Sequence, residues 1–121
     1  MDALLIILSL FFIPAIYILL GVIFSLWIPQ NRNGSAGYRT TRSRKSEETW
    51  IYANKLSGKI ILILGIVLMA INLIIFFAYK NINITACVVL IIIDVILIAL
   101  PLFITESKLK VKFDEDGNPK N

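Results

Sequence analysis

The chain has 121 residues; 58% belong to the apolar set and 17% are charged, with 12 Lys and Arg against 8 Asp and Glu for a net charge of +4. A soluble domain of this size leaves too much surface wet to hide that apolar excess, and a disordered chain needs the opposite composition. With no His and a single Cys, Cys87, the sequence offers no imidazole chemistry, no internal disulfide and no thiolate cluster.

The first element is an uncharged run from Ala3 to Ile28, long enough to cross a bilayer. It lacks the basic start and small-residue cleavage site of a signal peptide, so a retained first span is expected, with Pro14 able to bend it. A polar loop follows over 29–59. Gln30 to Gly37 is rich in Asn, Gly and Ser and reads as turns. Arg39, Arg42, Arg44 and Lys45 then form a basic cluster suited to anionic headgroups or an acidic partner. From Ser46 the pattern becomes helical. Ser46 is a candidate N-cap, and Glu47 and Glu48 suit the dipole of the first turn. Trp50, Ala53, Asn54 and Ser57 share one face. This short amphipathic, interfacial helix either bends at Gly58 to lie on the membrane or runs straight into the next span.

Ile60 to Tyr79 forms the second span, 80–85 a short external turn, and Ala86 to Ile104 a third span with one charge, Asp94. In the tail over 105–121, Lys108, Lys110 and Lys112 alternate with Leu109, Val111 and Phe113, the pattern of a short strand with one side on lipid. The residues after it read as a turn and a frayed end. Trp27, Trp50, Tyr52 and Tyr79 fall near the span boundaries, where amphipathic rings settle. The sequons at Asn33 and Asn83 read as chance matches.

The fold class expected is an all-α membrane protein with three transmembrane helices and a basic cytoplasmic loop. Seven basic side chains in that loop (Arg32, Arg39, Arg42, Arg44, Lys45, Lys55 and Lys59) against two acidic ones (Glu47 and Glu48) give it +5. Basic residues flanking spans stay inside, so loop and tail are expected in the cytoplasm and the N-terminus outside.

Within the spans, Gly58, Gly65, Asn72 and Tyr79 fall on one face, as do Cys87, Asp94 and Pro101, and Pro14 and Gly21 with Tyr17 and Ser25 beside them. Such stripes of small and polar residues read as packing faces. Asp94 is the costly residue and needs a partner inside the bundle. Measured from the turn between the second and third spans, Asn72 lies at nearly its depth, and Tyr17 near the middle of the first span is a candidate third group. The functional alternative is a proton or ion relay through Asp94. No phosphate loop, metal cluster or nucleophile–base pair suggests an enzyme, and no cofactor or nucleic-acid partner is expected.

The string GYRTTRSRKSEETWIYANKLSGK, from Gly37 to Lys59 and ahead of an apolar helix, resembles the signature of the SdpI family of bacterial membrane proteins. Gly37, Tyr38, Arg39, Thr40, Ser46, Glu47, Glu48, Trp50, Ala53, Asn54, Gly58 and Lys59 fall on matching positions. Thr41 stands where the family usually has Pro, which predicts a less rigid turn. The resemblance covers the loop and second span well, the third span in hydropathy and the first span weakly. It implies immunity to a secreted bacterial peptide toxin, with signalling through a cytoplasmic regulator, and makes Gly37, Tyr38, Arg39, Thr40, Glu47, Trp50, Asn54 and Gly58 the candidate partner-binding residues. Larger relatives have more spans, which leaves open action alone or as a homo-oligomer. The other function classes are a small transporter or channel component using Asp94, and an accessory subunit of a membrane complex.

Overall fold

The computed structural model describes residues 3–28, 37–79 and 81–120. Among them are four helices: α1 (Ala3–Leu26), α2 (Glu47–Ala78), α3 (Ile84–Ile96) and α4 (Ala99–Lys112). Three stretches are long and apolar enough to cross a membrane: α1, α2, and α3 with α4 taken together. Many of their large apolar side chains are exposed, including Phe12, Ile74, Phe77, Ile96 and Phe103. An outward apolar surface of this kind is stable only in lipid. The protein is a multi-pass, all-helical membrane protein.

The segment Glu47 to Lys59 is not a separate interfacial helix; it forms the first turns of α2, which runs unbroken for 32 residues. At 1.5 Å per residue that is about 48 Å, longer than the roughly 30 Å hydrocarbon core. The charged beginning of α2 therefore stands beyond the apolar layer.

α1 and α2 pack antiparallel with glycines at the seam. A Cβ on Gly21 would lie 2.5 Å from the Leu62 Cα, and one on Gly65 would lie 2.8 Å from the Ile18 nitrogen. Gly58 meets Phe24 and Ser25 in the same way. Gly58, Gly65 and Asn72 are thus a buried stripe of α2, whereas Tyr79, the fourth residue in that register, is 64% exposed.

The third span departs from the expected single helix: α3 ends at Ile96, two residues intervene, and α4 starts at Ala99. Pro101 explains the break. Its ring crowds the carbonyl four residues back, at Leu97, and it has no N–H to donate there. The Leu97 carbonyl accepts instead from Leu100 N at 3.0 Å. Placed in the first turn of α4, Pro101 wastes no helical hydrogen bond.

The tail also differs from expectation. Leu109 and Val111 are helical rather than part of a strand, because α4 continues to Lys112. Pro101, Thr105, Leu109 and Phe113 repeat every fourth residue and are all buried, while Val111 points outward. That helical stripe outweighs the two-residue alternation of lysines. Beyond it the chain is closed rather than frayed: Asp114 Oδ1 accepts from Asp116 N and Asn118 N at 3.0 and 2.9 Å, and Lys120 N donates to Lys112 O at 2.9 Å. At the opposite end of the bundle, Asn83 caps α3 by accepting from Ala86 N at 2.8 Å.

Candidate functional site

Two polar assemblies stand out, one inside the helix bundle and one at the head formed by the loop, the start of α2, the end of α4 and the tail. The inner one gathers Asn72, Asp94 and Tyr17, all buried. Asn72 Nδ2 donates to Asp94 Oδ2 at 3.3 Å and to the Leu10 carbonyl at 2.6 Å. Tyr17 donates its hydroxyl to the backbone carbonyl of Asp94 at 2.7 Å, not to the carboxylate.

Both carbonyls are free for a local reason. Leu10 O lies four residues before Pro14, which has no N–H to give it. Asp94 O lies four residues before Ile98, whose N–H turns to Val95 O at 3.3 Å as the helix breaks. Each carbonyl stranded by an interrupted helix is taken by a side chain from another helix. In an apolar layer a carbonyl left without a donor is costly, so these bonds fix where the three spans meet.

The head is built around Asn54 and Tyr38. Tyr38 N donates to Asn54 Oδ1 at 2.8 Å, and Asn54 Nδ2 donates to Trp50 O at 2.9 Å. Gly37, at φ +96°, turns the chain into this contact in a conformation that favours glycine. Thr40 starts a tight turn in which the buried Ser43 hydroxyl donates to Thr40 O at 2.8 Å and Ser43 N to Thr40 Oγ1 at 3.1 Å. Ser46 caps α2, but its capping-box partner is Thr49 rather than a glutamate: Thr49 N donates to Ser46 Oγ at 3.1 Å and Ser46 N to Thr49 Oγ1 at 3.0 Å. Glu47 and Glu48 occupy the first turn and are exposed.

The head is then fastened to α4 and the tail. The Tyr38 hydroxyl is shared between Glu106 Oε1 at 2.7 Å and Leu102 O at 3.2 Å, and Arg42 Nε lies 3.8 Å from Glu106 Oε2. The Ser46 hydroxyl donates to Gly117 O at 2.7 Å. Ala53, Leu109 and Phe113 form the apolar centre, with Tyr38 and Tyr52 against it. Tyr52 meets Phe113 edge-on at 5.5 Å, and Lys112 Nζ sits 4.5 Å from the Tyr52 ring centre.

These positions recast the candidate residues. Trp50 is 2% exposed, so it is a packing residue of the head rather than a ring at the membrane surface, and Tyr52 likewise packs inward. Asn54 is fully buried and holds the loop; Gly58 is buried against α1. Arg39 and Thr40 stay half-buried at the surface, and Glu47 is exposed. The sequence reading missed Thr49, Ser43 and Glu106. Only Thr49 had a local signal, its place three residues after the cap. Of the expected turn segment Gln30 to Gly37, residues 30–36, with Arg32 and the Asn33 sequon, lie outside the described residues.

A model of the SdpI/YfhL protein family matches residues 30–105. The chain belongs to that family. It is 28% identical over 108 residues to the uncharacterized protein YfhL of Bacillus subtilis (strain 168), an overlap covering 86% of this chain and 88% of YfhL. No solved structure matches the chain. The SdpI/YfhL match includes the whole Tyr38–Asn54 contact, Asn72 and Asp94. It leaves out Tyr17, Pro14 and the tail glycine that receives Ser46.

Two expected results follow from the head of this SdpI/YfhL protein. Burial, the hydrogen bond to Glu106 and the charge of Glu106 raise the Tyr38 pKa above its usual value of 10.0. A raised folded-state pKa gives stability that is present below the unfolded pKa and is lost as pH climbs past it. Melting temperature should therefore fall above about pH 10, and Tyr38→Phe should remove that part of the slope while costing about 1 kcal/mol at neutral pH. Ser46→Ala loses the cap and the tail bond together, for about 1 kcal/mol or slightly more. Limited proteolysis checks it: the tail after Phe113 should be cut faster in the variant, and an unchanged rate would mean the tail is held elsewhere.

Proposed function

We propose that this SdpI/YfhL protein is a non-enzymatic bacterial cell-membrane protein that confers or signals immunity to a secreted peptide toxin. The observation that carries the reading is the fate of the family's motif. Gly37 to Lys59 is built into a rigid head by Tyr38, Asn54 and Ser46, and the basic side chains Arg39, Arg42, Arg44 and Lys45 are left at its surface. A fixed basic platform on a helix bundle suits recognition. The immunity role is what the resemblance in the motif implies, and membership of the SdpI/YfhL family agrees with it.

In this reading the head and tail lie in the cytoplasm, following the excess of basic residues, and the N-terminus and the turn over 80–85 lie outside. The toxin meets the outer surface and the bundle. Arg39 and Thr40 face a cytoplasmic regulator or anionic headgroups, and further copies of the chain can complete the assembly. Trp50 and Asn54 act by shaping the head, and Gly58 by seating α2 against α1, not by touching a partner.

The test is protection. Expressed alone in a toxin-sensitive strain, the wild-type chain should raise survival. Arg39→Ala should reduce protection at unchanged membrane abundance. Survival no better than an empty vector, with the protein present in the membrane, would reject the immunity role.

A further inference from the structure

Beside the head, a groove of about 530 Å³ runs between the loop and the bundle. Phe24, Ile61, Pro101 and Leu102 supply apolar walls, and Arg39 and Thr40 line it from the loop. We propose that this groove holds one anionic glycerophospholipid, its phosphate at Arg39 and Thr40 and one acyl chain along the apolar walls.

Three observations select that occupant. Depth is the first. Phe24 lies in the last turn of α1, and Ile61 just past Lys59, where the apolar part of α2 begins. The groove is therefore at the boundary between hydrocarbon and headgroup, where a lipid changes from chain to phosphate. Charge is the second. Among the described residues the ion pair is Arg42 with Glu106, and no carboxylate pairs with Arg39, although Arg39 is half-buried. A guanidinium partly withdrawn from water gains most from a bidentate phosphate. The helix break is the third. Pro101 and Leu102 stand just after the interruption at Leu97–Ile98, and with Ile98 and Ala99 they form the third-span wall of the groove.

The proposal rests on the chain spanning a membrane, and neither on immunity nor on which side the head faces. Native mass spectrometry of the full chain in mild detergent, offered phosphatidylglycerol or phosphatidylcholine of equal chain length, tests it. Wild type should retain one phosphatidylglycerol with about tenfold preference, the scale set by one or two kcal/mol of charge contact. Arg39→Ala should bring retention down to the phosphatidylcholine level, and Arg39→Lys should restore part of it. Leu102→Trp fills the groove without altering charge and should lower retention of both lipids. Should that variant fail to give a helical circular dichroism spectrum, Ile61→Trp fills the same space from the other wall.

Equal retention of the two lipids by wild type would overturn the site. So would undiminished retention in folded Arg39→Ala or in the folded groove-filling variant. An acidic peptide that binds at Arg39 while lipid does not would also overturn it and assign the groove to a protein partner. A wild-type chain that retains lipid yet gives survival no better than an empty vector rejects the immunity role and leaves this site standing.

Discussion

Gly21→Val should be the most damaging single change in the bundle. Even the first carbon of a side chain there would lie 2.5 Å from both the Cα and the nitrogen of Leu62, backbone atoms that cannot rotate away as a side-chain tip can. Relief requires α1 and α2 to separate along their length. Separation would also withdraw Gly65 from Tyr17 and Ile18, and Asn72 from the Leu10 carbonyl. Overpacking in a closed core costs about 1–3 kcal/mol, and a clash against backbone lies at or beyond the top of that range. In a lipid environment the pair has little hydrophobic drive to reassociate, because lipid chains solvate apolar helices well. Gly21→Val should therefore lower the melting temperature in detergent sharply and reduce the amount in membranes, with Gly21→Ala weaker in the same direction. Leu19→Val, on the exposed side of the same helix, is the control. A Gly21→Val protein that melts with wild type would mean that α1 and α2 are not held at this distance.

Asn72→Leu should have the second largest effect, and Asp94→Asn should have little. Leucine fills the space of asparagine but donates nothing. The Leu10 carbonyl, already deprived of its helical donor by Pro14, and an Asp94 carboxyl oxygen would both lose their amide. A buried acceptor without a donor costs about 1–3 kcal/mol, and interhelical bonds in membranes average about 0.6 kcal/mol because the separated helices find other partners. About 2 kcal/mol is the expected loss for the two bonds together. Asp94→Asn keeps an oxygen for Asn72 and leaves the backbone carbonyl that Tyr17 grips. Melting curves of the two variants decide it. If Asp94→Asn folds and melts as wild type yet abolishes protection, Asp94 does chemistry beyond packing.

The apolar spans and the meeting of Asn72 with Asp94 could be read from the sequence for one reason: both depend on regular helices counted from a short turn. Hydropathy marks the runs, and equal rise per residue places the two polar groups at one depth. The head was not legible in that way. Its bonds join the loop to residues more than sixty positions away, Tyr38 to Glu106 and Ser46 to Gly117, and nothing local in either sequence names the other. Trp50 illustrates the ambiguity of a single residue type. An aromatic at a span boundary suits the interface, yet here it is 2% exposed, on an α2 that continues unbroken beyond the apolar layer. The tail was misread where two periods overlap. Lys108 to Phe113 alternates by two, but Leu109 and Phe113 also extend the stripe of Pro101 and Thr105, which a helix packed on α2 can bury. The break before Pro101 carried a clear signal, the proline itself, weighed only as a member of a polar stripe.

The two residues between α3 and α4 carry a further consequence. α3 is tied to the other spans by Asp94, and α4 to the head by Glu106, Leu109 and Phe113. Across Leu97–Ile98 the backbone bonds tighten and no unbroken ladder joins the two halves. The third span is therefore two units of cooperativity laid end to end, and an opening of the head has a natural place to stop. Amide exchange that loosens α4 would leave α3 protected. The protein can release its polar end while its three helices stay assembled in the membrane.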